Sequence, residues 1–285
     1  MKKISIPVII AVCILLSVAG ATAGEYITKE ITFPSDSIDL LSVNADFSVG
    51  DLRIRPDDIS DIARIDIEYD EDNVKIDVTY ENDDNIGFLD LISKKRRGRE
   101  MNTEDNLWDV VLSTHYPAEV DLNLGACHAD LDLGGIPIEM INFDVGAAKG
   151  LIDFSAPNPI KAEKISIDAG AASIVMEHLG NANFSRLDFD GGLGKFKLDF
   201  DGIYTQKSKA RISIGMGSAV IHLPADLPLR IEADDNFLSS VDFKNIDRDK
   251  LDDGYYESDD YHSSDIGLDL VIEVGLGSVD IIFDE

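Results

Sequence analysis

Clustered carboxylates are the chemistry this sequence offers most plainly. Asp144, Asp168 and Asp190 each stand two residues before a glycine, and Asp132, Asp153, Glu177 and Asp199 each stand seven residues after one. Asn123, Ser213 and Glu273 hold the pre-glycine position in further copies of the same phrase. If the segments that carry them stack, like positions form columns of side chains roughly 5 Å apart. Stacked carboxylates repel unless they are screened, paired or bridged. Calcium favours clustered carboxylate oxygens, so the seven acidic residues are candidates for weak extracellular calcium sites. The plainer alternative is a solvated face with diffuse counter-ions, partly offset by Lys149 and Lys195 three residues after their glycines.

Other chemistry is sparsely supplied. His115, His128, His178, His222 and His262 show no metal spacing with one another or with cysteine. His178 falls where other copies carry a large apolar residue, which suggests a bulge or a satisfied core group. Cys127 is the one cysteine beyond the leader, so no internal disulfide forms, and its position is otherwise Ala or Gly. It reads as a small buried residue, not a nucleophile. There is no G-x-S-x-G, no phosphate-binding loop and no paired nucleophile and base. Gly191-Gly192-x-Gly194 is followed by strand pattern, which removes a dinucleotide reading. The Asp247–Asp252 stretch lacks the fifth-position ligand and sixth-position glycine of an EF-hand. Asn183-Phe184-Ser185 is an acceptor sequon, informative only in a glycosylating host. The expectation is a protein with no catalytic residues and no cofactor beyond weakly bound calcium. A polysaccharide-active β-helix would need a carboxylate–metal or Lys/Arg cluster on one face, and the acidic columns argue against it.

The elements that position these columns come from a repeat. Three apolar residues at spacing two lead into a glycine at Gly125, Gly146, Gly170, Gly192, Gly215 and Gly275. The first five glycines lie 21, 24, 22 and 23 residues apart. Two residues later comes a small side chain, and six later a large apolar one. Period-two alternation means strand, and a constant period of this size means stacked coils. The chain therefore reads as all-β: a single-domain β-solenoid over 24–285 with coils of about 21–24 residues, each glycine marking a corner that needs positive φ or close backbone approach. A degenerate coil places Leu41, Val43 and Ala45 in the apolar positions with Asp46 at the corner. His115-Tyr116-Pro117-Ala118-Glu119-Val120 is echoed by His222-Leu223-Pro224-Ala225-Asp226-Leu227, which opens a coil whose corner falls at Glu232. Residues 65–80 alternate around Asp70-Glu71-Asp72-Asn73, a hairpin signal. The last copy, Leu268 to Phe283, should pair back onto the array, where it could cap one end.

Residues 1–23 read as an export signal with Lys2 and Lys3 before an uncharged apolar run and Ala21-Thr22-Ala23 as the cleavage motif; the alternative is an uncleaved membrane-anchoring helix. The formal net charge is −30, or −32 without Lys2 and Lys3, which repels nucleic acid and anionic lipid. Two charged interruptions are expected as loops, at about 84–106 and 245–265. The first holds Lys94, Lys95, Arg96, Arg97 and Arg99, five of the chain's 25 basic residues. That cluster is a solvated loop or a docking patch, either for an anionic polymer or for the protein's own acidic face.

The export signal, the Pro-Ala-[Asp/Glu] strand openers and the 21–24-residue glycine repeat resemble the toast-rack family of prokaryotic extracytoplasmic β-solenoids. That family is of adhesin type and includes the C-terminal domain of cell-wall-active antibiotic response proteins. The resemblance covers most of residues 26–285 and carries no catalytic residues. It implies a non-enzymatic module of the cell envelope, secreted or at the cell surface, whose partner is an envelope protein or glycan. Envelope-stress sensing and calcium-dependent surface attachment are the alternative roles. Self-association through the unpaired solenoid ends is a further expectation.

Overall fold

The computed structural model describes residues 26–96, 106–234, 238–246, 251–252 and 254–284. The expected leader helix over 1–23 lies outside them. Each repeat is one long strand bent at its glycine. In β7 (Ala118–Asp132), Val120, Leu122 and Leu124 face inward, Gly125 and Ala126 both face outward, and Cys127, Ala129 and Leu131 face inward again. Two outward residues in succession flip the alternation. A bent strand can then keep apolar side chains on its inner side along both halves. The same break recurs in β10 (Ala162–Glu177), β11 (Phe184–Asp199), β12 (Lys207–Pro224) and β17 (Gly267–Asp284). One rung is interrupted at the bend, giving β8 (Ile138–Val145) and β9 (Lys149–Asp153).

Parallel pairing stacks nine rungs in register. Beside β7 lies β2 (Leu40–Asp57), and beyond β2 come β5 (Ile86–Lys95) and β6 (Asn106–Ser113), one on each half. From β7 the stack runs through β8 and β9, then β10, β11, β12 and β17. It finishes with β13 (Leu229–Asp234) and β14 (Ser239–Lys244). Antiparallel strands cover the ends. β4 (Val74–Asp83) pairs with β5; β3 (Ala63–Asp70) pairs with β6 and with β1 (Tyr26–Phe33). At the other end β16 (Tyr255–Glu257) pairs with β13 and with β15 (Leu251–Asp252).

The core fills the space between the two halves. Phe143, Ile167, Phe189, Ile212 and Ile272 form one buried column, and Leu131, Ile152, Met176, Leu198, Ile221 and Ile281 another. Volumes compensate along the stack. The bulky Phe196 ring packs edge-on against Phe189, with centroids 5.2 Å apart, and a Cβ on Gly191 would lie 2.7 Å from that ring. Glycine therefore replaces the Val, Ala or Ile that neighbouring rungs carry there, and the Gly191-Gly192-x-Gly194 string is a packing feature.

Buried asparagines close the coils. The Asn158 amide donates to the carbonyls of Ile138 (2.9 Å) and Ala182 (3.2 Å) and accepts from the Ile160 N–H. Asn181 donates to the Phe154 carbonyl and accepts from the Ile203 N–H. These side chains satisfy backbone groups that irregular turns would otherwise bury unpaired.

Several details differ from the sequence reading. The bend of β2 lies at Ser48 and Val49, because Asp46 pairs with Asn123 and Phe47 with Leu124. Glu232 pairs with Val271 and Asp234 with Glu273, so the strand runs through Glu232 without a corner there. Period-two alternation is unchanged by a slip of an even number of residues, so it does not fix where a corner falls. Residues 65–80 do not pair as a hairpin: β3 joins β6 while β4 joins β5. The last copy does not cap the stack, since β17 lies between β12 and β13–β14. Ile86–Lys95, within the expected 84–106 loop, is strand; Gly87 and Ser93 occupy inward positions there and mask the alternation. The expected 245–265 loop contains β15 and β16, and buries Tyr261 between Lys207 and Arg230.

Candidate interaction surface

The corner glycines are required by close approach. A Cβ on Gly192 would meet the Gly170 carbonyl oxygen at 2.6 Å. The glycines at Gly125, Gly146, Gly170, Gly215 and Gly275 repeat this stacking of backbone on backbone. Positive φ occurs two residues later, as at Gly217 (+144°).

The pre-glycine column forms as expected and is longer than the sequence suggested. Pairing places Asp46, Asn123, Asp144, Asp168, Asp190, Ser213, Glu273 and Asp234 on successive rungs. Lys94 Nζ lies 2.8 Å from Asp46 at one end of the column, and Arg211 lies 2.6 Å from Glu273, one rung short of the other end. Asp144, Asp168 and Asp190 have no ion pair among the described residues.

The second column is consumed by the fold. Asp132 accepts from the Gly134 N–H and the Ser155 hydroxyl. Asp153 bonds His178 Nδ1 at 2.7 Å, Glu177 lies 3.7 Å from Lys197 Nζ, and Asp199 accepts from the Asp201 N–H. The hydrogen bond to Asp153 raises the His178 pKa above its ordinary value. His178 sits in the left-handed region at φ 54° and turns outward, and Leu179 fills the apolar column instead. Among the described residues no three His, Cys, Asp or Glu side chains converge closely enough to hold a metal ion.

The remaining expected features are placed as follows. Arg96 donates to the Val74 carbonyl, and Lys94 docks on the protein's own Asp46. Lys95 ends β5, while Arg97 and Arg99 lie outside the described residues. Cys127 is buried, and burial pushes its thiol up to about 11. The Asn183 amide donates to the Ile160 carbonyl and accepts from Thr205, so the sequon is engaged within the fold.

Two concavities were not legible in the sequence. One lies on the outer face of β6, β2 and β7, lined by Asp51, Arg53, Leu107, Asp109, His128 and Asp130; Arg53 pairs there with Asp130. The other is a furrow along the corners. Two contiguous depressions share Ser213 and Gly215 and run from Asp168 and Asp190 to Glu273 and Asp234. The furrow's signal in the sequence is the glycine position lying beside the pre-glycine carboxylates from Gly170 to Gly275. Among the described residues no helix is long and apolar enough to cross a membrane.

The chain is similar to solved structures. A "putative cell adhesion protein" from Clostridium sporogenes ATCC 15579 is 20% identical, covers 91% of this chain and 100% of its own, and superposes with a TM-score of 0.50. A "putative adhesin" from Parabacteroides distasonis ATCC 8503 is 11% identical over 90% of this chain and 97% of its own, with a TM-score of 0.30. No curated protein matches the sequence. Residues 22–177, more than half of the chain, match the family described as the N-terminal domain of toast_rack, DUF2154, and the chain belongs to that family.

Proposed function

We propose that this protein is an exported, non-catalytic binding or scaffolding protein of the cell envelope, of adhesin type. The observation that carries the reading is the outer surface of the stack. Nine in-register rungs hold side chains of like position at a spacing of about 4.8 Å on a rigid support. Such a surface suits an extended partner that makes the same contact repeatedly. Family membership and the cell adhesion protein of the same fold support it. Export follows from the leader over 1–23, and amino-terminal sequencing of the mature protein should begin at Gly24.

The test is a pull-down of labelled protein by intact cells and by purified envelope. Saturable binding is expected, beyond that of an unrelated acidic protein of similar charge. Binding no greater than that control refutes the proposal.

A further inference from the structure

Immediately after the corner glycines the outward position changes character along the stack. It holds Ala126, Ala147 and Ala171, then Leu193, Met216 and Leu276. Pairing sets Leu193 beside Met216 and Met216 beside Leu276. They are 52%, 49% and 42% exposed. Leu238, 60% exposed, continues the row, its carbonyl accepting from the Gly277 N–H. Four large apolar side chains therefore form a ridge about 14 Å long on the convex corner. Scattered surface leucines need no explanation, but a contiguous exposed row marks a contact surface. The bend explains why a residue must face outward here; it does not explain why that residue is large and apolar, since alanine serves in three other rungs.

The furrow adjoins this ridge. Its floor is the corner glycine column, Gly170, Gly192, Gly215 and Gly275, and its far side is Asp168, Asp190, Glu273 and Asp234. A ligand lying there meets apolar side chains on one side and carboxylates on the other. The chain's net charge of −30 disfavours a second copy of itself and an anionic bilayer in the same place.

We propose that the ridge and furrow bind a cationic amphipathic polypeptide segment, with its apolar side on Leu193, Met216 and Leu276 and its Lys or Arg side chains toward Asp168 and Asp190. This deepens the binding-protein reading and rests on it. The segment needs only about ten residues if helical, at 1.5 Å rise per residue.

Fluorescence anisotropy at physiological salt tests the proposal with a synthetic Leu/Lys peptide of amphipathic pattern, beside a scrambled peptide of identical composition. The amphipathic peptide should bind at least about tenfold more tightly. The variant L193S/M216S/L276S should lose that preference, and its unfolding midpoint reports that it remains folded. D168N/D190N should weaken both peptides and flatten the salt dependence. Equal binding of the two peptides by the wild type, or a preference that survives the triple variant, overturns the proposal. So does ridge-dependent binding to phosphatidylcholine vesicles without peptide preference, or dimerisation in sedimentation velocity that the triple variant abolishes. Envelope binding that persists in the triple variant overturns the ridge as the contact surface and leaves the wider reading standing. Absent envelope binding with an intact peptide preference supports the ridge and overturns the wider reading.

Discussion

Replacing Gly217 by alanine tests the rung geometry most directly. A Cβ there would lie 2.0 Å from the Gly194 carbonyl oxygen, at a φ of +144°. Both partners are backbone, so no side chain can swing away. Restoring an ordinary contact opens the β11–β12 spacing by about 1 Å. That disrupts two or three ladder hydrogen bonds at about 0.5–1.5 kcal/mol each. The unfavourable φ adds about 1–3 kcal/mol. The expected loss is about 3–5 kcal/mol. Gly192→Ala should cost less, about 1–3 kcal/mol: its Cβ meets the Gly170 oxygen at 2.6 Å without positive φ. Gly150→Ala is the control, because its Cβ meets only the Ile174 side chain at 4.0 Å. It should be neutral or up to about 1 kcal/mol more stable, as alanine restricts the unfolded chain. Urea unfolding followed by far-UV circular dichroism orders the three variants. If Gly217→Ala matches the wild type, or Gly150→Ala loses as much as Gly217→Ala, backbone close approach does not set the rung spacing.

Three further outcomes follow from named contacts. Asn158→Ala leaves two carbonyls and one N–H of the coil closures without their partner. It should cost about 2–4 kcal/mol in urea unfolding, and a loss under about 0.5 kcal/mol would show that the amide is dispensable. The folded-state pKa of His178 is raised by Asp153, so the stability of that pair is fully present below the unfolded value near 6.5 and is lost as pH rises through the folded value. Asp153→Asn should therefore lower Tm more at pH 5.5 than at pH 8.5, by an amount set by a partly exposed pair of about 0.2–1 kcal/mol; equal shifts at both pH values refute the coupling. The unpaired Asp144–Asp168–Asp190 column should take up divalent cations as counter-ions, with calcium the favoured ion. Millimolar calcium at low ionic strength should raise Tm in the wild type and not in D144N/D168N/D190N. An unchanged wild-type Tm removes calcium from the description of this face.

The inside of the protein was legible because its signals are local. Three apolar residues at spacing two, a glycine and a small residue report one bent strand whatever lies beside it. The outcome is visible in the column from Leu131 to Ile281, in which all six large residues are buried. Rung order was not legible, because every rung presents nearly the same edge and inner face. Nothing in Leu270-x-Ile272-x-Val274 states that it inserts between Ile212 and Ala233. Only the lengths of the connections and the fit of particular side chains decide that, as with Phe196 against Gly191. The same limit applied to the corners at Asp46 and Glu232, because alternation is unchanged by a slip of an even number of residues.

The exposed ridge was missed for a different reason. Core reading follows positions that repeat, whereas the ridge is a position that stops repeating, from alanine at Ala126, Ala147 and Ala171 to Leu193, Met216 and Leu276. In a solenoid, an inward position is constrained by packing on every rung, so a change there must be compensated by a neighbour. An outward position carries no such constraint. A sustained change from small to large apolar at an outward position, maintained over consecutive rungs, costs solubility and gains nothing in folding. The retained side chains therefore place the contact at the β11–β12–β17 end of the stack, whereas the acidic column alone runs almost its whole length and marks no particular place.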